Sequence, residues 1–477
     1  MKIGKLIENI SIKKVFGYKE VDASGVEIDD RKDIEGKVFV CLKGNKADGH
    51  DHAKHAVEKG AVAVFSEKEL SLPVPVFIVQ DTRKAFAVLC GNYYGNPAKK
   101  MDIVTVVGTN GKTSTTEILS AIFTYAGIPS ATIGTLGYKI GEERSDGELT
   151  TPDPISLHRH LAEMCRSGIK CVFMEASAHA IYYDKLAGIK AKVGILTNIT
   201  QDHLDFFGDM EHYAAVKLSY FNHLNTSLAV VNSDDPFGVK LLNNKPVPVI
   251  TYGINNPADV FAIDVEEGEK GLTFTINAFD CIEKIRTPLH GLFNVYNVMA
   301  ATAAAMYMGI SLSTVRCAVA GMSCVPGRYN VYYVNGIKTI VDYAHTPDGL
   351  ENLLCDVRRE AKGKVVTVFG CGGDRDKAKR PIMGRIASRY SDHVIITEDN
   401  PRSEDESMIA YEILRGVAAD SMCEVIDDRA TAIRRALQLA NEEDTVVIAG
   451  KGHEKYIEKK GVKIPYSDVQ ILKESEK

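Results

Sequence analysis

The sequence predicts an α/β protein built in three consecutive segments. Apolar runs of strand length alternate with helically spaced apolar patterns along the whole chain, the encoding of helices layered on largely parallel sheets. Two breaks interrupt this alternation, Gly95-Asn96-Pro97 and Pro326-Gly327. In the last segment four apolar runs each end in a polar motif, which directs those motifs to one sheet edge. At 477 residues the chain exceeds one ordinary core, so the segments are read as domains 1–98, 99–326 and 327–477.

In the first segment KVFVCLKG (37–44), AVAVFSE (61–67) and VPVFIVQD (74–81) read as strands, with a helical HDHAKHAVEKG (50–60) among them. The second supplies strands IVTVVG (103–108), CVFMEA (171–176), VGILTNI (193–199) and LAVVN (228–232). The third supplies TIVDYA (339–344), VVTVFG (365–370), HVIITED (393–399) and TVVIAG (445–450). After HVIITED, Ser403 and Glu406 have capping-box spacing before a helix carrying Ile409, Ile413, Leu414 and Val417. Arg402, in an otherwise acidic run, is thereby placed where a strand ends and a helix begins. The C-terminal KESEK is expected to fray.

Composition excludes several functions. Hydrophobic residues at 45% and charged residues at 25% are ordinary for a soluble domain protein. A net charge of −6 provides no basic field for nucleic acid and no polybasic membrane patch. No apolar run approaches the roughly 20 residues a spanning helix requires, and the first twenty residues lack a signal-peptide core. The ten cysteines contain no Cys-x-x-Cys pair, which fits reduced structural thiols in a cytoplasmic protein.

The richest motif is IVTVVGTNGKTSTTEILSAIF (103–123), a strand, a Gly-rich turn and a helix with Ile118, Ile122 and Tyr125 at apolar positions. This is the context of a phosphate loop. Backbone N–H groups from Gly108 through Thr109, Asn110 and Gly111 to Lys112 would wrap phosphates at the positive helix terminus. Lys112 would neutralise β/γ-phosphate charge and the Thr113 hydroxyl would ligate Mg²⁺. Val106 stands where the generic loop has its first glycine.

GTNGKTS (108–114) resembles the ATP loop of the Mur ligases and their relatives the folylpolyglutamate synthases, three-domain ATP-dependent amide-forming enzymes. The resemblance extends through TTPD (150–153), MEASAHA (174–180) and TNITQDHLDFFGDMEHYAAVK (197–217). It continues in GLFNVYNVMAATAAA (291–305), PGR (326–328), VDYAHTPDGL (341–350), GCGGDRDKAKRP (370–381), DNPR (399–402) and GKGHE (450–454). It implies a small N-terminal UDP-binding α/β domain, a central phosphate-loop ATPase domain with a mostly parallel sheet, and a Rossmann-like C-terminal domain that binds the amino acid. The motifs are most similar to family members that add the third peptide residue to UDP-N-acetylmuramoyl-L-alanyl-D-glutamate. A carboxylate attacks the γ-phosphate of ATP in such enzymes, and an amine displaces phosphate from the resulting acyl phosphate. Two anions must meet, so magnesium and Lys112 are expected to supply the electrostatics.

The resemblance assigns residues as well. Glu175 and His203 match Mg²⁺ positions. Lys217 matches a lysine carbamylated by CO₂, which turns a cation into a metal-binding anion and requires a depressed amine pKa. Ser114, Asn294 and Arg328 match nucleotide contacts, although Asn294 and Asn297 read equally well as helix caps. Asp342 and His345 are expected at the same cleft, Asp342 with the nucleotide. Arg402 and Arg375 suit bidentate carboxylate recognition, with Asp399, Asn400 and Pro401 around them. Glu454 and the Gly450 carbonyl would take the distal ammonium of meso-diaminopimelate. L-Lysine has no distal carboxylate to pair with Arg402.

Departures fall on the acceptor side. Asp30 stands where the family has serine near the uridine, Ala178 replaces a second serine, and Tyr183 and Lys185 replace glutamine and arginine; Thr150, Thr151 and Ser177 are retained. The expected partners are therefore ATP, Mg²⁺, the UDP-N-acetylmuramoyl dipeptide and meso-diaminopimelate, acting on a monomer. Alternatives are a Mur-type ligase with another acceptor or amino acid, a folylpolyglutamate synthase-like enzyme, or a phosphate-loop binding module without ligase chemistry.

Overall fold

The computed structural model describes residues 1–44, 47–147 and 149–476. Three large sheets follow one another along the chain, and after the third comes a two-stranded antiparallel ribbon, Tyr456–Lys459 with Val462–Pro465. The first has five strands in the order Ile12–Phe16, Val76–Val79, Ala63–Ser66, Val38–Val40, Val26–Glu27. The last four run parallel and Ile12–Phe16 closes one edge antiparallel.

The central sheet has eleven strands. Seven are parallel, in the order Val260–Gly268, Val249–Gly253, Ala229–Asn232, Val193–Leu196, Asp102–Val107, Cys171–Ala176 and Ser130–Gly134. Antiparallel strands extend both ends: Gly271–Ala278 and Cys281–Thr287 at one, Gly137–Ile140 and Glu143–Ser145 at the other. Strand Asp102–Val107 sits inside this sheet and is covered on both faces, which is why its sequence is an unbroken apolar run. Val104 and Val106 enter one core with helices Lys112–Tyr125 and Leu292–Tyr307, while Ile103 and Val107 enter another with helix Pro154–Arg166. Each such buried valine or isoleucine contributes about 1.5–3 kcal/mol. Helix Leu292–Tyr307 buries Ala300, Ala301, Ala303, Ala304 and Ala305 completely, and these small side chains let it pack closely on helix Lys112–Tyr125.

The third sheet runs Asn330–Val334, Ile337–Asp342, Thr445–Ala449, Val365–Phe369, His393–Ile396, Met422–Val425, parallel except for the first strand. Arg429 and Asp468, both fully buried, form a bidentate pair with contacts of 2.8 and 2.9 Å. That pair anchors the last helix, Asp468–Ser475. Within KESEK, residues 473–475 are helical and not frayed, following buried Leu472, and Lys477 lies outside the described residues.

Other local expectations also change. Ser403 does not cap a helix. Its hydroxyl donates to Asp374 (2.6 Å), and Asp405 caps helix Glu406–Leu414 by accepting from the N–H groups of Ser407 and Met408. Asn294 and Asn297 are not caps either, because helix Leu292–Tyr307 begins at Gly291 without a side-chain cap and buries both. Tyr125 is exposed.

Candidate active site

A cavity of about 830 Å³ lies between the central and C-terminal sheets, at the C-terminal ends of their parallel strands. Strand Asp102–Val107 delivers the phosphate loop to it, and the neighbouring strand Val193–Leu196 shapes that loop. Asn198 accepts from the Asn110 N–H through its side chain (2.9 Å) and from the Thr109 N–H through its carbonyl (2.9 Å). Thr197 donates to the Asn110 carbonyl (2.6 Å). Two glycines are sterically fixed. A Cβ on Gly108 would lie 1.8 Å from Thr197 Oγ1, and one on Gly111, whose φ is +84°, would lie 2.5 Å from Asn297 Oδ1. Gly111→Ala combines left-handed strain of about 1–2 kcal/mol with that clash. The expected result is a KM for ATP raised roughly tenfold together with a Tm lowered by a few degrees, read from steady-state kinetics and a melting curve.

Lys112 donates to the carbonyls of Gly108 (3.0 Å) and Thr109 (2.7 Å). The Thr113 hydroxyl donates to Glu175 Oε1 (2.9 Å) and accepts from Arg328 (3.1 Å), so hinge and loop are already joined. Ser114 lines the same cavity. Glu175, 1% exposed, also accepts from the N–H and hydroxyl of Thr135 at 2.8 and 3.0 Å. Burial pushes His203 down to about 3 despite Asp202, 3.2 Å away, so its imidazole is neutral near pH 7. Burial also drives the Lys217 amine well below the lysine range, and the Lys112 charge adds to this while Asp202 opposes it. Lys217 donates to the Gly108 carbonyl (2.6 Å). Glu175, Thr113, neutral His203 and Lys217 all line this cavity, and of these the Glu175 carboxylate and Thr113 hydroxyl are the oxygen donors a hard divalent ion takes.

The nucleotide expectations need one adjustment. Asn294 donates to the His290 carbonyl (2.6 Å) and accepts from Asn297 (2.9 Å), and Asn297 is the one that lines the cavity. Asp342 lines it too, but its two oxygens accept from the N–H groups of Tyr329 (2.7 Å) and Ala344 (2.6 Å), clasping the hinge. Arg328 lies over the Tyr343 ring at 4.3 Å.

From the C-terminal domain come Arg375, Asp399, Asn400, Arg402, Gly450 and Glu454. Arg402 has φ +53° and bridges to strand Tyr456–Lys459 through its backbone. Its guanidinium donates to the Gly373 carbonyl (2.7 Å) and lies 3.3 Å from Glu458. Pro401 is buried, and its carbonyl lies 1.9 Å from where a Gly373 side chain would begin, so it backs the site and does not line it. Arg375 donates to the Asp374 carbonyl (2.9 Å). Gly450 has φ +112°, and a Cβ there would lie 2.6 Å from Asp399.

The surrounding acids have distinct uses. Glu404 holds Arg380 with two contacts of 3.0 Å and Lys377 at 2.9 Å, and Lys459 joins Glu398 and Glu406. Glu404 is held down at about 2, first by its hydrogen bonds to Arg380. A depressed carboxylate contributes stability that is complete above its unfolded pKa, near 4.5, and lost as pH falls toward 2. Glu404→Gln should flatten this acid limb of Tm against pH and lower Tm at pH 7.

Three participants were not found by sequence reasoning. Lys451, fully buried within GKGHE, donates to Glu454 (2.9 Å) and Asn400 (3.1 Å), so Glu454 already has a cationic partner. Asp202 lies 3.9 Å from both Lys379 and His345 across the domain boundary. Lys379, in KAKRP, donates to the His345 carbonyl (2.9 Å). Their signal was membership of the quoted motifs that follow strand ends.

On the acceptor side Thr150, Ser177 and Ala178 line the cavity. Thr151 donates to the Glu175 carbonyl (2.8 Å), and Lys185 reaches the Thr151 carbonyl (3.4 Å). Tyr183 lies under Arg83 at 4.5 Å. Asp30 is buried and lies 2.7 Å from His55 and 3.2 Å from His52, with His55 the first cause of its lowered pKa. The extra carboxylate is thus matched by two imidazoles outside the main cavity.

Three family descriptions match in chain order: the Mur ligase family, catalytic domain, over residues 22–94; the Mur ligase middle domain over 106–305; and the Mur ligase, glutamate ligase domain over 327–452. The UDP-N-acetylmuramoyl-L-alanyl-D-glutamate--2,6-diaminopimelate ligase of Geobacillus thermodenitrificans is 44% identical over 465 residues, 96% of this chain and 95% of the relative. Its counterpart in Syntrophomonas wolfei is 40% identical over 482 residues, 99% of each chain. A solved structure of a ligase with the same name superposes with a TM-score of 0.71 at 31% identity, covering 100% of this chain and 98% of that one. A Mycobacterium tuberculosis folylpolyglutamate synthase complexed with ADP and AMPPCP shares the fold, at TM-score 0.66, 19% identity and 77% coverage of this chain. A phosphate loop and an arginine-bearing strand end facing one cleft, in a chain this close to such relatives throughout its length, make it a member of the Mur ligase family.

Proposed function

We propose that this chain is the ATP-dependent, ADP-forming ligase that adds meso-diaminopimelate to the D-glutamyl γ-carboxylate of UDP-N-acetylmuramoyl-L-Ala-D-Glu in peptidoglycan precursor synthesis. The observation that carries the amino acid assignment is Arg402, whose guanidinium shares one cavity with the phosphate loop. In the bound state that guanidinium exchanges Glu458 for the distal carboxylate, with Arg375 beside it. Asp399, Asn400 and Glu454, held by Lys451, face the distal ammonium. The loop N–H groups and Lys112 bind the triphosphate, and Arg328 joins it from the hinge. Magnesium, held by Thr113, Glu175, His203 and carbamylated Lys217, would offset the negative charge of nucleotide and acceptor. Thr150 and Ser177 border the acceptor carboxylate, while Asp30, Thr151, Tyr183 and Lys185 shape its approach. The enzyme acts as a cytoplasmic monomer; no described helix is long and apolar enough to cross a membrane.

The test is ADP release with the UDP-sugar dipeptide against a panel of amino acids. Release should require both acceptor and meso-diaminopimelate. Equal rates with L-lysine would remove the role given to Arg402, and ADP without amide product would remove the ligase reading.

A further inference from the structure

Outside the cleft, a second group of ligating side chains joins the central and C-terminal domains. Glu267 is the penultimate residue of strand Val260–Gly268, His290 precedes helix Leu292–Tyr307, and Glu360 ends helix Pro347–Glu360 of the C-terminal domain. One ligand atom from each lies within 4.8 Å of the others. None of the three lines the active-site cavity.

The polar atoms here are incompletely matched. Glu267 Oε1 accepts from the Gly291 N–H (2.7 Å) and lies 3.2 Å from His290 Nδ1. Glu360 Oε2 accepts from Lys338 (3.2 Å), but Oε1 is buried and bonded to no described residue. The Tyr329 hydroxyl is likewise buried and unbonded, in a residue 1% exposed whose ring stacks on His290 at 5.5 Å. Burial raises that phenol, and so do Glu267, Glu360, Asp356 and Asp342, which places it among the carboxylates. Asp356, one turn before Glu360, accepts from the Leu292 N–H (2.8 Å) and lies 3.4 Å from Arg359. Two cations, Lys338 and Arg359, thus face three carboxylates, Glu267, Asp356 and Glu360. Two of those acids sit at the C-terminal end of a helix, where the dipole favours positive charge.

We propose that Glu267, His290 and Glu360 hold a divalent first-row transition ion that fastens the C-terminal domain to the central domain. One imidazole with two carboxylates suits Mn²⁺ or Zn²⁺ better than an all-oxygen Mg²⁺ site. Opposed ligands about 2.1 Å from an ion are about 4.2 Å apart, so small rotamer adjustments close the site. The ion would neutralise the excess carboxylate and give Glu360 Oε1 its missing partner.

The probe is Mn²⁺ alone, titrated into nucleotide-free full-length protein and followed by electron paramagnetic resonance. Ions at the phosphate loop are common to every variant and cancel in the comparison. Glu360→Gln and Glu267→Gln should each weaken one Mn²⁺ site by at least about tenfold. Mn²⁺ should raise Tm more in the unsubstituted protein than in either variant. Equal Mn²⁺ affinity in all three proteins would overturn the proposal. A Mn²⁺-soaked crystal of the unsubstituted protein gives an independent reading. An anomalous peak within bonding distance of the three side chains is expected, and its absence there would overturn the proposal.

Discussion

Lys217→Ala is expected to lower ligase turnover on the order of 10³-fold, the scale of removing a preorganised charge-stabilising group. The amine is fully enclosed, touches the Gly108 carbonyl and lies near the Lys112 charge. Each of these except the carbonyl contact disfavours the ammonium. The sign follows directly: an amine with lowered pKa is uncharged at a lower pH, and only the uncharged form attacks CO₂. Wild-type activity in CO₂-depleted buffer should therefore fall and recover on adding bicarbonate. Lys217→Arg should be as inactive as the alanine variant, because a guanidinium stays charged. Carbon-13 NMR with labelled bicarbonate reads the modification itself. Full turnover in Lys217→Ala, or no labelled carbamate in active enzyme, would refute this role.

The second large effect concerns substrate choice. Arg402→Ala should raise the KM for meso-diaminopimelate by about 10²-fold, the cost of truncating one partner of a hydrogen-bonded charge pair. The group it holds is remote from the reacting amine, so kcat should change far less. Preference over L-lysine should fall in parallel, since lysine never engages the guanidinium. The fold should tolerate the change. Glu458 loses a 3.3 Å partner but is 29% exposed and remains hydrated. A variant that kept wild-type selectivity would move recognition of the distal carboxylate to Arg375.

The central parallel strands were legible where both faces are buried and the run is continuous, as in IVTVV and VVTVF. The parallel strands Val249–Gly253, Val260–Gly268 and Met422–Val425, partly exposed, and the short Ser130–Gly134 were not read. The hairpin strands Gly271–Ala278 and Cys281–Thr287 were not read. They face solvent on one side, and charged residues such as Lys284 and Arg286 dilute their pattern. The nucleotide side of the site was legible for a local reason: loop, helix start and strand end are contiguous in sequence. Lys451, Asp202 and Lys379 acquire meaning only when separate segments meet, which one segment's pattern does not reveal. The helix cap shows the same limit. Ser403 and Asp405 are both competent caps, and a bond from Ser403 to Asp374, 29 positions earlier, decides between them.

The hairpins that extend the central sheet also bear on how the protein behaves at high concentration. A sheet rim is a template on which another chain can grow, and fibrils propagate from such rims. Here one rim, Cys281–Thr287, carries Glu283, Lys284 and Arg286, and the other, Glu143–Ser145, carries Glu143 and Arg144. Charged side chains along such an edge disfavour pairing with another chain. The seven apolar parallel strands thus lie between two rims that resist templated growth.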